Sequence, residues 1–480
     1  MIPDRFRWVF CQLDTLRRCM PSSLRKALNE LPSTLDDTYE RALEGIPKEK
    51  RQHAHRLFQC LVAAVRPLRV EELAEIFTIE FDAEVGPILS EGWRPENAEE
   101  AVLSACSTLI AIIEDSDSKI VQFSHFSVKE FLTSGRLLSS EVGSIRHYHI
   151  PLDAAHTVLA RACLTVLLQL DEKVDKRRLA TFPLALYAAR HWVKHAKFED
   201  VASRLKDTME RLFNPTNPYL AAWVWVHNID QSWFRETSSG LSNFVSPPKA
   251  TALYYAALCG FSGLVNYLIV THGEDVNAQC GSHGTPIHAA SYEGHLDVTH
   301  LLLDHGADIN LADFDGQTAL GTAYSRNNLK VMRLLLEYGA DADVQYDVHG
   351  LILHHASWKG RAEVIELLLR HKADVNGRGD DDWTPLHWAS VVGRVEVVRL
   401  LLERGADIDA QNKDQNTPLR LASLHGHVDV VRALLEHGTD VHVRGYNNET
   451  SFQAATSGGY DEVAQLLLEY GAKEERNRTT

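Results

Sequence analysis

This sequence lacks the features that mark membrane-spanning and secreted proteins. No stretch approaches the ~18 consecutive uncharged apolar residues that a membrane-spanning helix needs. The seven cysteines are scattered and include no CxxC pair, which predicts buried thiols in a reducing compartment. The N-terminus carries Asp4, Arg5 and Arg7 before any apolar run, so we expect no secretion signal. The expected location is the cytoplasm, and the nucleus remains open.

Signatures of catalysis are also missing. Neither a G-x-x-x-x-G-K-[ST] segment nor any Gly-Lys-Ser/Thr triplet occurs, so the sequence has no glycine-rich loop to hold nucleotide phosphates. The G-x-S-x-G motif and the protease and kinase signatures are absent as well. Ser124 and His125 are neighbours in sequence, and such neighbours rarely form a dyad. The sequence therefore predicts a protein that is not an enzyme and binds no cofactor.

The 24 histidines raise the question of a metal site. His191 and His195 lie four residues apart on a predicted helix, a spacing that suits zinc. The glutamate of the H-E-x-x-H motif is missing, however, and no third ligand is evident. A second group, formed by His147, His149 and His156, has no stronger pattern. We therefore expect no metal.

Positive charge is scarce in this chain. The formal net charge is -16, whereas a nucleic-acid partner requires a basic face and an anionic lipid surface attracts basic segments. Basic clusters such as Arg17-Arg18 are short and lie among acids, which is typical of solvated helix faces. We expect neither nucleic acid nor membrane as a partner. The length allows about two to four globular domains.

A unit of about 33 residues recurs through the C-terminal half. The clearest copy reads Thr384-Pro385-Leu386-His387-Trp388-Ala389, followed by Gly393, an apolar helix and Gly405-Ala406-Asp407. A fixed period in this range indicates a solenoid, which usually provides a binding surface. The matching units start at Thr251, Thr285, Thr318, Leu351, Thr417 and Thr450.

Local chemistry explains the unit. Thr384 caps a short helix whose first-turn Pro385 needs no N–H partner. Gly393 ends this helix in the left-handed conformation. The second helix, predicted from about residue 396 to 403, has more apolar surface than it can bury alone, so the units must stack.

Two units depart from this pattern at the end of a helix. In the third unit Asn327 replaces a glycine, and asparagine tolerates the left-handed conformation. In the fourth unit Leu351 replaces the capping threonine and Lys372 replaces the helix-ending glycine. A non-glycine residue in that conformation costs about 1 kcal/mol, so we expect the fourth unit to be a weak point.

The recurring pattern T-P-L-H-x-A…G…LLL…G-A-D-x-N resembles that of ankyrin repeats, with seven copies over residues 246–475. The resemblance implies a mainly α solenoid whose protein partner contacts the concave face, at the hairpin tips and the exposed ends of the first helices. Aromatic anchors inside a polar rim are typical of such interfaces. The alternative is that Trp358 and Trp383 only pack on neighbouring units. Carried over position by position, the candidate tip residues are Phe314, Asp315, Asp347, Asp380, Asp381, Trp383, Lys413, Asp414 and Tyr446. The candidate helix-end residues are Tyr292, Glu293, Trp358, Lys359, Val391, Val392, Leu424 and His425.

Residues 56–140 have a different pattern, which predicts a winged-helix domain. Many winged helices read DNA with their third helix. Here that helix contains Glu96, Glu99 and Glu100 and no lysine or arginine, which does not suit contact with phosphates. The predicted elements are helices over 54–64, 70–77, 96–106 and 127–132 and strands over 109–113 and 119–123.

Residues 5 to about 230 resemble the segment that follows the nucleotide-binding core in fungal NACHT-type signalling ATPases of the STAND class. The motifs that carry the resemblance are Phe6-Arg7-Trp8-Val9, the segment 31–39, Arg66-Pro67-Leu68-Arg69 and the segment 123–132. The resemblance implies that the array senses a ligand and the winged helix relays or restrains assembly. The nucleotide-binding core would lie upstream of Phe6, so we expect a truncated member, a degenerate paralogue or a partial gene model.

The expected organisation is therefore a helical platform followed by the solenoid. Residues 1–55 are expected to form the helical tail of a NACHT module, 141–245 a connector, and 476–480 a disordered tail. Trp223, Trp225 and Trp233 are predicted to buttress the open end of the stack; a substrate pocket is the alternative.

Three functions follow from this organisation. The first is a non-enzymatic interaction protein, acting as a sensor or adaptor in STAND-type signalling or self/non-self recognition. The second is the regulatory part of a nucleotide-dependent ATPase whose core is missing from this chain. The third and weakest is a winged-helix DNA-binding regulator.

Overall fold

The computed structural model describes residues 34–81, 87–89, 95–115, 118–140, 142–171, 173–227, 229, 248–347 and 350–472. The chain divides into two compact units, Met1–Ala252 and Leu253–Thr480. Within the described ranges, no helix is both long enough and apolar enough to cross a membrane. The expected NACHT-like segment before residue 34, Trp233 and the tail 476–480 lie outside the described residues.

The winged-helix portion of the N-terminal unit has its main elements where the sequence predicts them. The helices are α1 (Leu35–Glu44), α2 (Arg51–Ala63), α3 (Val70–Phe77), α4 (Ala98–Ala105) and α5 (Phe126–Thr133). The strands are β1 (Leu68–Arg69), β2 (Ile79–Glu80), β3 (Ile88–Leu89), β4 (Ile110–Asp115) and β5 (Ser118–Phe123). Strand β5 pairs antiparallel with both β4 and β1, and Leu68 of β1 lies opposite Val121 of β5. The short hairpin β2–β3 was not predicted, because strands of two residues have no periodicity to detect.

Helix α1 packs on α5 and contributes to the same core. Thr34 and Asp37 form a capping box at its start, which satisfies two backbone N–H groups. The ring of Tyr39 lies 5.4 Å from that of Phe131, and its hydroxyl lies 2.7 Å from Ser127 Oγ. Tyr39 and Phe131 are both buried, so α1 is held by an aromatic contact as well as a polar one.

The rest of the N-terminal unit is helical. Trp223 is buried with its ring 5.4 Å from Trp192 and 5.6 Å from Phe213, and its Nε1–H donates to the Ala189 carbonyl. The tryptophan-rich segment therefore fills the interior of this unit, and the capping role predicted for it stays a prediction. The helices are α6 (Gly143–Arg146), α7 (Leu152–Leu167), α8 (Lys176–Leu179), α9 (Ala185–Ala196), α10 (Val201–Arg204), α11 (Lys206–Phe213) and α12 (Tyr219–Val226).

A chain of hydrogen bonds crosses this core. The Tyr187 hydroxyl accepts the Val65 N–H at 3.1 Å and lies 2.9 Å from His195 Nε2, while His195 Nδ1 lies 2.9 Å from His156 Nδ1. All three bonds are satisfied when Tyr187 donates to His195 and His195 Nδ1–H donates to neutral His156. Because both ring nitrogens of fully buried His195 are occupied, its pair with His191 offers no zinc site.

The C-terminal unit consists of helix pairs, and the first helix of each pair is called inner and the second outer. A small bulged hairpin, β6 (Gln345–Asp347) and β7 (Gly350–Leu351), precedes the fourth pair. The inner helices are α13 (Ala252–Cys259), α15 (Pro286–Glu293), α17 (Ala319–Ser325), α19 (Ile352–Lys359), α21 (Pro385–Val391), α23 (Pro418–Leu424) and α25 (Ser451–Ser457). The outer helices are α14 (Ser262–His272), α16 (Leu296–Asp304), α18 (Leu329–Glu337), α20 (Ala362–Arg370), α22 (Val395–Glu403), α24 (Val428–Glu436) and α26 (Asp461–Glu469).

The end signals of the unit act as predicted. Thr384 caps α21 by accepting the His387 N–H, and Pro385 occupies the first turn. Gly393 and Gly405 adopt φ values of +76° and +88°. In the fourth unit the threonine is missing, but the reciprocal bond is kept, since His354 Nδ1 accepts the Leu351 N–H at 3.0 Å as His387 Nδ1 accepts the Thr384 N–H at 3.1 Å.

Lys372 has a φ of 68° and Asn327 a φ of 59°, so both residues hold the left-handed conformation in place of glycine. Replacing Lys372 with glycine is expected to raise the free energy of unfolding of the array by about 1 kcal/mol. The matched control is Lys330→Gly inside outer helix α18, which is expected to lower it by about 1 kcal/mol. Urea unfolding of the two variants measures the direction of each change in the free energy of unfolding. A Lys372→Gly variant that is no more stable than the parent chain would show that the backbone at Lys372 is not strained.

Candidate protein-binding face of the repeat array

The histidines of the second, fourth and fifth units bond their inner helices to the segment that leads into the following unit. His354 Nε2–H donates to the Gly377 carbonyl and His387 Nε2–H to the Asn416 carbonyl, both at 2.9 Å. His288 makes the corresponding bond in the second unit. Burial lowers the pKa of His387 to about 4, so its ring stays neutral and keeps a single N–H for this bond.

A second set of side chains reaches back to the preceding unit. Each follows the end of an inner helix by a few residues and donates to a carbonyl at the end of the previous inner helix. His295 donates to the Leu258 carbonyl at 3.1 Å, and Arg394 donates to the Trp358 carbonyl at 3.3 Å. Since these carbonyls have no partner within their own helix, the bonds hold the helix ends in register. Asn328, Arg361 and His427 make equivalent bonds.

The sixth unit has an arginine at the position where the second, fourth and fifth units have histidine. This residue, Arg420, is buried. Its guanidinium lies 3.0 Å from a Glu449 carboxylate oxygen in the seventh unit and donates to Asn416 Oδ1. An ion pair thus replaces the neutral inter-unit bond at the last junction. Sequence reasoning missed this exchange, although the change from T-P-L-H to T-P-L-R was visible.

Aromatic rings line the exposed side of the inner helices and hairpin tips, a surface we call the inner face. His355 lies 5.0 Å from the ring of Tyr346 and 5.5 Å from that of Trp358. Its Nδ1 lies 2.7 Å from the Tyr324 hydroxyl. Neighbouring units thereby share one cluster of rings, which holds Trp358 half-buried.

The cluster has counterparts in the second and fifth units. Trp383 and Trp388 lie 4.5 Å apart, and both are half-buried. Tyr292 stacks on His283 with ring centroids 3.9 Å apart. Rigid rings that are partly accessible bind a partner at a small loss of conformational entropy.

The structure places the predicted contact residues on this face, although their role stays a prediction. The helix-end residues are exposed or half-buried, as are the tip residues whose side chains are described. Phe314 is the most open of the apolar ones, with 66% of its surface exposed. The side chain of Asp347 lies outside the described residues. Lys413 pairs with Asp381 at 3.1 Å, so two of the predicted tip residues bind each other.

Several residues of the inner face were not predicted. Trp388 and His355 share the fifth position of their units, counted from the threonine or its replacement. That position precedes the framework alanine, and an aromatic residue there was a usable signal. Arg326 and Arg394 extend the face with positive charge. They were missed because the candidate helix-end positions were those directly before a glycine, whereas Arg394 follows Gly393 and Arg326 precedes Asn327.

The comparisons with known proteins agree with this geometry. Residues 253–346 match ankyrin repeats (3 copies), 352–380 match an ankyrin repeat, and 386–435 and 420–468 match ankyrin repeats (many copies). The repeats are ankyrin repeats. Residues 39–142 match the winged helix domain of GPI inositol-deacylase. The predicted mainly α fold, an ankyrin solenoid after a winged helix, is confirmed.

One curated relative is the azaphilone pigments biosynthesis cluster protein L of Monascus ruber, which is 30% identical over 285 residues. The match covers 56% of this chain and spans 59% of that protein.

Three solved ankyrin-repeat domains are similar. That of human ASB11 is 29% identical, with a TM-score of 0.40, and the match covers 47% of this chain and 100% of that one. The domain of Bcl-3 is 27% identical, with a TM-score of 0.43 and coverage of 46% and 99%. A domain from Acinetobacter baumannii AYE is 28% identical, with a TM-score of 0.38 and coverage of 39% and 98%.

An ankyrin array is typically a non-catalytic interaction scaffold. Among the residues with described positions, no group of three or more His, Cys, Asp or Glu could hold a metal ion. The third helix of the winged-helix domain, α4, carries Glu99 and Glu100 and no basic residue, and Lys119 pairs with Glu99 at 2.5 Å. This surface does not suit a phosphate backbone.

Proposed function

We propose that the chain is an interaction module whose ankyrin array binds a protein partner on the inner face. The observation that supports this most directly is the row of half-buried rings, Tyr292, Trp358, Trp383 and Trp388, beside exposed polar tips. Protein–protein interfaces depend on a few aromatic anchors surrounded by a polar rim. The alternative that the tryptophans only pack on neighbours predicts stability effects without effects on binding.

A double variant separates these alternatives. Trp358→Ala with Trp383→Ala is expected to weaken partner binding by roughly 30-fold or more, because each buried anchor is worth about 1 kcal/mol or more. The matched control is Tyr470→Ala, which removes an exposed ring just after outer helix α26. Proximity labelling by the full chain in its native cell measures the loss of partner binding. Each variant is compared with wild type after circular dichroism has shown that both have the same helix content. Equal recovery of every partner by the double variant refutes the assignment.

The finer role we propose is sensor or adaptor in STAND-type signalling. It is supported by the order of the domains, a winged helix of the GPI inositol-deacylase type followed by ankyrin repeats. In that arrangement the array recognises a ligand and the winged helix transmits or restrains assembly. If this role is right, we expect the purified chain to bind no nucleotide in equilibrium dialysis. Saturable ATP binding would contradict the prediction that this chain has no nucleotide site.

A further inference from the structure

Four cationic side chains are grouped on the inner face at the ends of the inner helices of the third to fifth units. They are Arg326, Lys359, Arg361 and Arg394; all are exposed except Arg361, which is half-buried. Within the described part of the chain, no carboxylate oxygen lies within 4.0 Å of any of their nitrogens. Arg361 and Arg394 each donate one N–H to a carbonyl of the preceding unit. The positive charges of all four side chains, and their remaining N–H groups, are therefore available to a ligand.

Aromatic rings hold three of these cations in place. The Arg326 Cζ lies 4.3 Å from the Tyr292 ring centroid, and the Lys359 Nζ lies 4.0 Å from that of Trp358. Arg361 Cζ lies 4.8 Å above Tyr324. Each of these cation–π contacts orients the cation without neutralising it.

Most of the charges at the hairpin tips beside this band have the opposite sign, although Lys413 pairs with one of them. Asp315, Asp380, Asp381 and Asp414 are exposed at the hairpin tips, and Glu293 ends the row at the second unit. In a chain with a net charge of -16, a band of unpaired cations beside accessible rings is a local exception. Fixed positive charge bordered by acids selects ligands by the placement of their charges as well as by their total charge.

We propose that this band binds an acidic peptide segment of the protein partner, one that carries aspartate or glutamate next to an apolar or aromatic side chain. Guanidinium groups bind carboxylates through paired, charge-assisted hydrogen bonds, and the rings beside them supply the apolar contact. A nucleic acid fits less well, because a continuous polyanion would also meet the acidic tips. This inference rests on the proposed function and names the chemistry of the partner.

Selection of random twelve-residue peptides displayed on phage against the full chain tests the proposal. Enriched peptides are expected to be net acidic and to contain an aromatic or large aliphatic residue. A triple variant, Arg326→Gln, Lys359→Gln and Arg394→Gln, is expected to bind the synthesised peptides roughly 30-fold more weakly in 50 mM salt, by fluorescence anisotropy. The matched control, Lys330→Gln, Arg333→Gln and Arg432→Gln on outer helices, is expected to stay within about twofold.

The outcomes separate the two claims. If enriched peptides require Trp358 and Trp383 but are neutral or basic, the acidic preference is wrong and the inner face remains the binding face. If no peptide is enriched, or if binding is unaffected by both the tryptophan and the cation variants, both claims fail. Poly(U) RNA is expected not to bind, and RNA binding lost in the triple variant would overturn the peptide assignment.

Discussion

Replacing Glu449 with alanine is expected to lower the free energy of unfolding of the last two repeats by about 2–3 kcal/mol. Removing one partner of a buried ion pair costs about 3–5 kcal/mol, because the remaining charge is left uncompensated. Arg420 is 5% exposed and Glu449 is 31% exposed, so solvent reduces the effect. Asn416 Oδ1 remains as an acceptor for the guanidinium and reduces it further. Hydrogen exchange of the amides of α25 measures the change.

A surface ion pair provides the matched control. Arg399 and Glu436 also bridge neighbouring repeats, at 3.3 Å, but both are more than 40% exposed. Glu436→Ala is therefore expected to cost less than about 0.5 kcal/mol. The double variant Arg420→His with Glu449→Ala restores the histidine of the repeat pattern and is expected to recover most of the loss. Equal costs for Glu449→Ala and Glu436→Ala would show that burial of Arg420 does not matter.

Acidification from pH 7 to pH 5 is expected to destabilise the N-terminal unit by at least about 2 kcal/mol. Burial, with smaller contributions from His156, His191 and Lys194, lowers the pKa of His195 from 6.5 to about 3. Below pH 6.5 His195 binds a proton in the unfolded chain but not in the folded chain. The free energy of unfolding therefore decreases as the pH is lowered. This residue alone lowers the free energy of unfolding by about 1.4 kcal/mol per pH unit below 6.5. At pH 5 its contribution is therefore about 2 kcal/mol.

His195→Gln tests the assignment to this residue. Urea unfolding followed by tryptophan fluorescence gives the stability at each pH, and the variant is expected to start lower but to decline less steeply. Between pH 6 and 4, the slopes of the free energy of unfolding against pH are expected to differ by about 1.4 kcal/mol per pH unit. This difference corresponds to the uptake of nearly one proton. Burial also lowers the pKa values of His191 and His227 to about 4, so the variant retains part of the decline. Identical slopes in the two proteins would remove His195 from the explanation.

The repeat architecture could be predicted because each unit contains its own local signals. Thr384, Pro385 and Gly393 determine where a helix starts and stops through hydrogen bonds and backbone conformation within a few residues. The same reasoning located Lys372 and Asn327 in the left-handed conformation, with φ values of 68° and 59°. Such effects need no knowledge of the tertiary fold.

The polar contacts between distant residues could not be predicted in the same way. The chain from Val65 through Tyr187 and His195 to His156 joins three parts of the sequence that only the folded core brings together. Sequence alone suggested a possible zinc spacing at His195, whereas the structure shows a hydrogen-bonded ring. The carboxylate partner of Arg420 is likewise 29 residues away in the next unit.

The inner face lies between these two cases. Its position followed from the repeat register, which is why Trp358 and Trp383 were placed on it. Its charge could not be predicted, because the lack of ion pairs between Arg326 or Arg394 and the other described residues depends on where neighbouring acids point. A repeat pattern thus predicts which positions are available, and packing decides what chemistry they present.

Site-specific photo-crosslinking in the native cell tests the central claim most directly. A benzophenone side chain introduced at Trp388 on the inner face is compared with one introduced at Tyr470, just after outer helix α26. Our account predicts a discrete crosslinked partner from position 388, none from position 470, and loss of the product when the Arg326, Lys359 and Arg394 variants are added. Crosslinking of the same partner from position 470, or from neither position, would contradict binding at the inner face.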